Sequence, residues 1–371
     1  MHNGRTAFIV IVSTALALLI GCTNNPSAKE VIVESYTDYK PNPDDFALIR
    51  TLRANRGSAQ LLQELYQELP LIDIHNHDVE NPIAVQTWGQ YGIDRIVLFG
   101  SISEPYAQVT DNEAWVQYQA EPDHVYPSFA GFPIYEEAGV TYVKERLEQG
   151  YLNIGEIAAA STYSPVVSKL EWKAEHPNDG YLPQIYELAA EYRTPILLHI
   201  DPPNGLPILH LEEALEQHRE TNMIFGHANA YNPPSNIGAL LAKHPNLYID
   251  FFAGFTAYSR DSTNTLQDFV PVIEQYPDRF MLSTDSGYGL SRYEAAQGLY
   301  EIIDLLTPET AVKVAYQNYE RLVEQQPPTA SQIEQIKKLS TEAGRFETYR
   351  LNKRMANELI LELEGEIEGE N

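Results

Sequence analysis

LIDIHNH, residues 71–77, begins like a buried strand and ends on imidazoles. In an extended chain side chains alternate between faces, so Asp73, His75 and His77 project to one side. Two histidines in i, i+2 register at a strand end can grip one ion together. A polar strand end turning into a loop would look the same, so the other strands decide the matter.

Short apolar runs recur at 95–101 (RIVLFGS), 125–132 (VYPSFAGF), 152–158 (LNIGEIA) and 195–201 (PILLHID). Three more follow at 222–229 (NMIFGHAN), 247–254 (LYIDFFAG) and 280–287 (FMLSTDSG), making eight with the first. Amphipathic patterns at 135–148, 181–192, 211–218 and 265–275 read as helices between them, as does the acidic link 104–123 with its Trp115. Nearly continuous apolar strands alternating with helices imply a parallel sheet covered on its faces. Eight such units in roughly 230 residues match a closed (β/α)8 TIM barrel, typically about 250 residues long. The fold class expected is α/β, with the barrel over 46–325, an N-terminal helical extension and C-terminal helices.

The flanks are read as follows. Residues 23–45, polar and proline-bearing, form a tether. Residues 44–69 have helical spacing, with Ser58 as the N-cap between two helices. Two helices follow the last strand, at 292–305 and 309–324. The acidic stretch 326–371 is a helical extension, with one long helix over 331–365 interrupted near Gly344.

With 43% hydrophobic and 21% charged residues in 371, the composition is that of a globular chain; the net charge of −27 is not ordinary. Such a surface repels phosphate backbones, which need Lys and Arg to displace counterions, and it carries no polybasic patch for anionic lipid. The expected partner is a small-molecule substrate rather than a nucleic acid. The number of subunits is not readable.

Residues 1–5 are a short positive start, and 7–20 (AFIVIVSTALALLI) are apolar but too short to span a bilayer comfortably. LIGC, residues 19–22, resembles the lipobox of bacterial lipoprotein signal peptides, and Cys22 is the chain's one cysteine, so no intramolecular disulfide can form. The resemblance implies cleavage after residue 21, a lipid anchor on Cys22 and an extracytoplasmic protein held at a bacterial membrane. An uncleaved signal anchor would place the bulk of the chain on the same side. Thr23, where an Asp is absent, points to the outer membrane.

Chemistry in such a barrel sits at the C-terminal ends of the strands. Those ends carry His75 and His77 on the first strand, Glu156 on the fourth, His199 on the fifth, His227 on the sixth and Asp285 on the eighth. All are types that bind divalent metals. Each has a dull reading alone; six in succession at matching heights point to a metal site.

The series DIHNH, GEI, LLHID, FGHAN and STDSG resembles the amidohydrolase superfamily, in particular the amidohydrolase-related (amidohydrolase 2) branch that includes lactonases and aromatic-acid decarboxylases. The resemblance covers about residues 70–325, and TPETAVKVAYQNYERLV (307–323) is similar to that family's closing helix with its internal Asn, here Asn318. It implies His75, His77 and Asp285 as metal ligands, with His199 as a further one. His227 matches either a ligand of a second metal or a polarising histidine. Glu156 matches the position where some members place a Glu or carbamylated Lys that bridges two metals. The cofactor implied is a divalent metal, zinc first, as one or two ions: one tight site and one optional.

Bound metal lowers the pKa of water from about 15.7 towards roughly 7. Asp285, across the barrel from the paired histidines, suits the general base, and His227 could stabilise a developing oxyanion. Asp73 is either an acceptor for an imidazole N–H or a buried carboxylate bonded to backbone. Asp201, Asn229, Tyr231, Tyr258, Arg260, Tyr288 and Arg292 follow the strands and could line the mouth, and Arg260 or Arg292 could bind a substrate carboxylate. The leading function is hydrolysis of an ester, lactone or amide. A non-oxidative decarboxylase would use the same site. A non-catalytic metal-holding receptor would not need Asp285, and a nuclease of the TatD type, which shares the fourth-strand Glu, is disfavoured by the charge.

Overall fold

The structure, a computed structural model, describes residues 30–42, 44–58, 61–202 and 204–369. The apolar run 7–20 and Cys22 lie outside the described residues; among those described, no helix is long and apolar enough to cross a membrane.

Ten strands occur in chain order. β1 (Ile32–Ser35) and β10 (Thr348–Leu351) form a parallel pair by themselves. β2 (Ile72–Asn76), β3 (Arg95–Leu98), β4 (Val125–Phe129), β5 (Asn153–Ala160), β6 (Ile196–Ile200), β7 (Met223–Phe225), β8 (Leu247–Phe252) and β9 (Phe280–Ser283) run parallel, each beside the next. This is the (β/α)8 TIM barrel. The strands are buried on both faces because helices cover the outside, which is why their sequences are apolar without alternation. The expected links become the helices Ala107–Ala120, Glu137–Gln149, Leu182–Glu191, Leu206–Gln217 and Leu266–Gln275.

Between described residues no ladder joins β9 back to β2. A side chain spans that seam: Asp73 on β2 accepts hydrogen bonds from the backbone N–H and hydroxyl of Thr284, at 2.8 and 2.5 Å. Two further bonds, from Asn76 Nδ2 at 2.8 Å and the His75 backbone at 3.2 Å, fill its lone pairs. Of the two roles open to Asp73, the structure gives it the backbone-binding one. Asn318 acts at the other end of β9, donating to the carbonyls of Pro277 and Phe280 at 2.8 Å each.

Outside the barrel the structure departs from the sequence reading in three places. Ser58 lies in a short 3-10 turn, Arg56–Ser58, and the next helix, Leu62–Tyr66, starts after Leu61 instead. Within the stretch read as tether, β1 pairs with β10. The helix expected over 331–365 is interrupted near Gly344 as read, into Ala330–Glu342 and Lys353–Gly369, and the unexpected part is β10 between them. Gly344 takes a left-handed φ of 69°, which ends the first helix, and TYRL then alternates exposed and buried as an edge strand must. Val31, Ile336, Tyr349, Leu351 and Ile360 share a small core there. The extension docks on the base of the barrel: Lys353, fully buried, donates to Thr194 Oγ1 at 2.9 Å, and Gln326 donates to the Leu152 carbonyl at 2.8 Å. Both acceptors precede β5 or β6, opposite the strand ends that carry the histidines.

Candidate metal centre

β2, β5, β6 and β7 deliver their polar residues to one place. Candidate ligand atoms of His75, His77 and Asp285 lie within 4.8 Å of one another, and so do those of Glu156, His199 and His227. The two groups share a wall. Glu156 turns Oε2 towards His75 and His77 (Nε2 at 3.4 and 3.3 Å) and Oε1 towards His199 Nδ1 and His227 Nε2 (2.9 and 3.1 Å). One buried carboxylate thus stands between two sets of imidazoles.

Glu156 reaches this position because of its neighbour. Gly155 has φ 127°, a conformation closed to L side chains, and a Cβ there would sit 2.6 Å from the Leu197 carbonyl oxygen. The β5–β6 register shifts at the same point. His227 (φ 34°) and Asp285 (φ 40°) are held in left-handed conformations that side-chain-bearing residues seldom adopt. Such strain collects where a site demands a particular direction of a side chain.

Three of the four rings are aimed from behind, and His227 is held by its backbone. His75 Nδ1 lies 2.7 Å from Asp250 Oδ2, and the same oxygen accepts the backbone N–H of His227 at 2.8 Å. His77 Nδ1 donates to the Gly100 carbonyl at 2.9 Å. His199 Nε2 lies 2.8 Å from Asp201 Oδ2, and Asp201 also accepts from Ser161 and the backbone of Thr162 and Tyr163. With Nδ1–H donated outward, His75 and His77 face each other through bare lone pairs only 2.9 Å apart. His199 Nδ1 and His227 Nε2 approach to 3.0 Å. Lone pairs at that distance repel unless a proton or a cation lies between them. The donor set therefore fits a divalent metal ion, with nitrogen and oxygen ligands and outer carboxylates orienting the rings.

The charge balance agrees. Burial opposes a proton on His75, yet Glu156 and Asp250 hold its imidazole well above the ordinary value. Burial likewise opposes charge on His199, but Asp201 and Glu156 raise it to about 9. Burial works against ionisation of Glu156, and the charge on His75 with hydrogen bonds from His199 and His227 keeps it well below the usual carboxylate range. The surrounding carboxylates thus favour positive charge at this point, which a bound cation would also supply.

A cavity of about 740 Å³ opens above the centre, lined by His77, Glu156, His199, His227 and Asp285 together with mouth residues. Of the expected mouth residues, Tyr231 and Tyr288 line it. The others lie outside the lining. Asp201 lies behind His199, and Asn229 is bonded to the backbone of Phe252. Tyr258 donates to Glu301, Arg292 pairs with Asp78 at 3.0 Å over the Trp88 ring, and Arg260 is exposed and outside the lining. Sequence reasoning missed Asp250. Its signal was available: one acid in an otherwise apolar strand, LYIDFF, must be buried and therefore needs donors. The Gly100 carbonyl left no such trace.

Among curated proteins no relative matches the chain. Solved structures similar to it include an uncharacterized TIM-barrel protein from Bordetella bronchiseptica, 16% identical, with a TM-score of 0.49 over 80% of this chain and 98% of that one. A 2,6-dihydroxybenzoate decarboxylase from Rhizobium is 12% identical, with a TM-score of 0.47 over 69% and 99%. An amidohydrolase from Pseudomonas aeruginosa is 13% identical, with a TM-score of 0.48 over 71% and 98%. The family model described as amidohydrolase matches residues 95–324, well over half of the sequence, and the chain belongs to that family.

Proposed function

We propose that the protein is a metal-dependent hydrolase of a small-molecule ester, lactone or amide. The observation that carries this reading is the Glu156 carboxylate set between two imidazole groups, with Asp285 on the open side of the cavity. His75, His77 and Asp285 would hold one ion and His199 and His227 a second, with Glu156 common to both. A divalent ion so bound supplies Lewis acidity and makes hydroxide accessible near neutral pH.

The chain's own groups do the rest. Asp285 borders the cavity and can take a proton from the attacking water and pass it to the leaving group. The outer acceptors Asp250, Asp201 and the Gly100 carbonyl fix the rings so that little rearrangement is needed as charge develops. The apolar part of the cavity limits competing water.

The test combines metal and turnover. Purified protein is stripped with chelator, reloaded, and offered a panel of lactones, esters and amides, with released CO₂ followed in parallel on aromatic acids. Turnover should vanish on stripping and return on reloading. Asp285→Asn should lower kcat by about 10²- to 10⁴-fold while retaining metal. Full activity in the stripped protein, or CO₂ release in place of hydrolysis, would overturn the reading.

A further inference from the structure

The cavity lining is sorted by chemistry. Its floor carries the candidate ligands. Above them, Val166, Val167 and Leu170, from the segment after β5, face the same space as Phe252 and Phe255 at the end of β8. Tyr288 packs edge-on to both phenylalanines, at 5.5 and 5.4 Å between ring centroids, and so extends the aromatic surface outward. Among the described residues the lining holds no lysine or arginine. Outside the ligand set its charged side chains are Glu104 and Asp261, and neither carboxylate has a hydrogen-bond or ion-pair partner among the described residues. Of the two arginines that might have bound a substrate acid, Arg292 is paired with Asp78 and Arg260 is exposed and outside the lining.

We infer that the substrate carries, beyond its reacting carbonyl, an apolar and preferably aromatic body without an acidic group, and that a distal ammonium is accepted where a distal carboxylate is refused. This rests on the hydrolase reading only for which end of the substrate meets the ligand set. A carboxylate among these walls would lose its hydration with no cation to replace it. It would also meet the repulsion of Glu104 and Asp261. An ammonium finds both carboxylates and the faces of Tyr288 and Phe255. Two uncompensated carboxylates at the mouth, partly screened by solvent, correspond to about tenfold or more in affinity between the two tails.

The test is a binding measurement. Three hydroxamic acids of one length, ending in phenyl, carboxyphenyl and aminomethylphenyl, are titrated calorimetrically into the metal-loaded full chain and into its Glu104→Gln/Asp261→Asn double variant. The phenyl and aminomethylphenyl compounds should each bind about tenfold more tightly than the carboxyphenyl one, and the double variant should shrink that gap. A gap below about threefold, or one that the double variant leaves intact, overturns the inference. The order among tails decides this point without turnover, whereas chelator sensitivity of hydrolysis decides the reaction. Failure of all three compounds to bind would overturn the inference and leave the reaction to the chelator test.

Discussion

Asp250→Asn probes the outer support of the centre most directly. One oxygen, Oδ2, receives His75 Nδ1 at 2.7 Å and the His227 backbone at 2.8 Å, so a single atom orients ligands from two strands. The amide has nearly the same size, and its oxygen can still accept both bonds, but without charge. A hydrogen bond to a charged partner contributes about 1.5–3 kcal/mol. At about 1.4 kcal/mol per decade, losing that assistance should weaken metal affinity roughly ten- to hundredfold. Competition between the protein and a chromogenic chelator reads this directly, with circular dichroism to show that the barrel persists. A variant that folds and binds metal within about threefold of the parent would refute the claim that Asp250 aims His75.

Three further substitutions separate the parts of the structure. Glu156→Gln keeps the shape but removes the charge common to both imidazole sets, so metal content should fall by about one ion per chain on elemental analysis; unchanged stoichiometry would argue that Glu156 is not shared. Gly155→Ala places a methyl group against the Leu197 carbonyl at a φ closed to alanine. It should cost about 1–3 kcal/mol in denaturant unfolding and reduce metal content as well, and a neutral effect on both would contradict the role given to the glycine. Burial brings the Lys353 ammonium down from 10.5 to about 7. Between those pH values the unfolded chain binds a proton that the folded chain does not, so this residue's contribution to stability rises with pH across the window. The shift corresponds to about 5 kcal/mol, and Lys353→Met forfeits bonds to Thr194 and Tyr151 worth about 2 kcal/mol. The variant should be more stable than the parent near pH 7 by roughly 3 kcal/mol, with the advantage fading towards pH 10.5. A difference that does not change with pH would dismiss the buried-charge account.

The barrel was legible because its strands are buried on both sides, so each appears as an uninterrupted apolar run bounded by turns. Six site residues were legible for a related reason: a strand entering the mouth must change from apolar to polar at its last residues, and HNH, HID and GHAN do so visibly. Asp250 and Asp73 were harder to read. Both lie deeper in the barrel, where an acid can serve a ring, a backbone amide or a hydroxyl, and only the three-dimensional neighbours decide which. Asp201 shows the same limit: two residues beyond His199 it could have faced solvent, but it turns back to the ring. The β1–β10 pair joins stretches more than 300 residues apart by backbone bonds, and neither partner is apolar enough to announce itself. Arg292 shows how little an exposed arginine beside a site predicts, since the nearby Asp78 claims it.

The clasp of Asp73 on Thr284 has a bearing on how the protein responds to metal. Among the described residues the barrel is stitched by backbone ladders except between its first and last staves, and there three bonds through side chains, two from Thr284 to Asp73 and one from the His77 backbone to Ser286, do the work of a ladder. His75 and His77 stand on one side of that gap and Asp285 on the other, so a cation gripped by all three would act as a rivet across it. Amide exchange along the two flanking staves should then slow on loading far more than on the opposite side of the cylinder, and the empty protein should come apart first along that line.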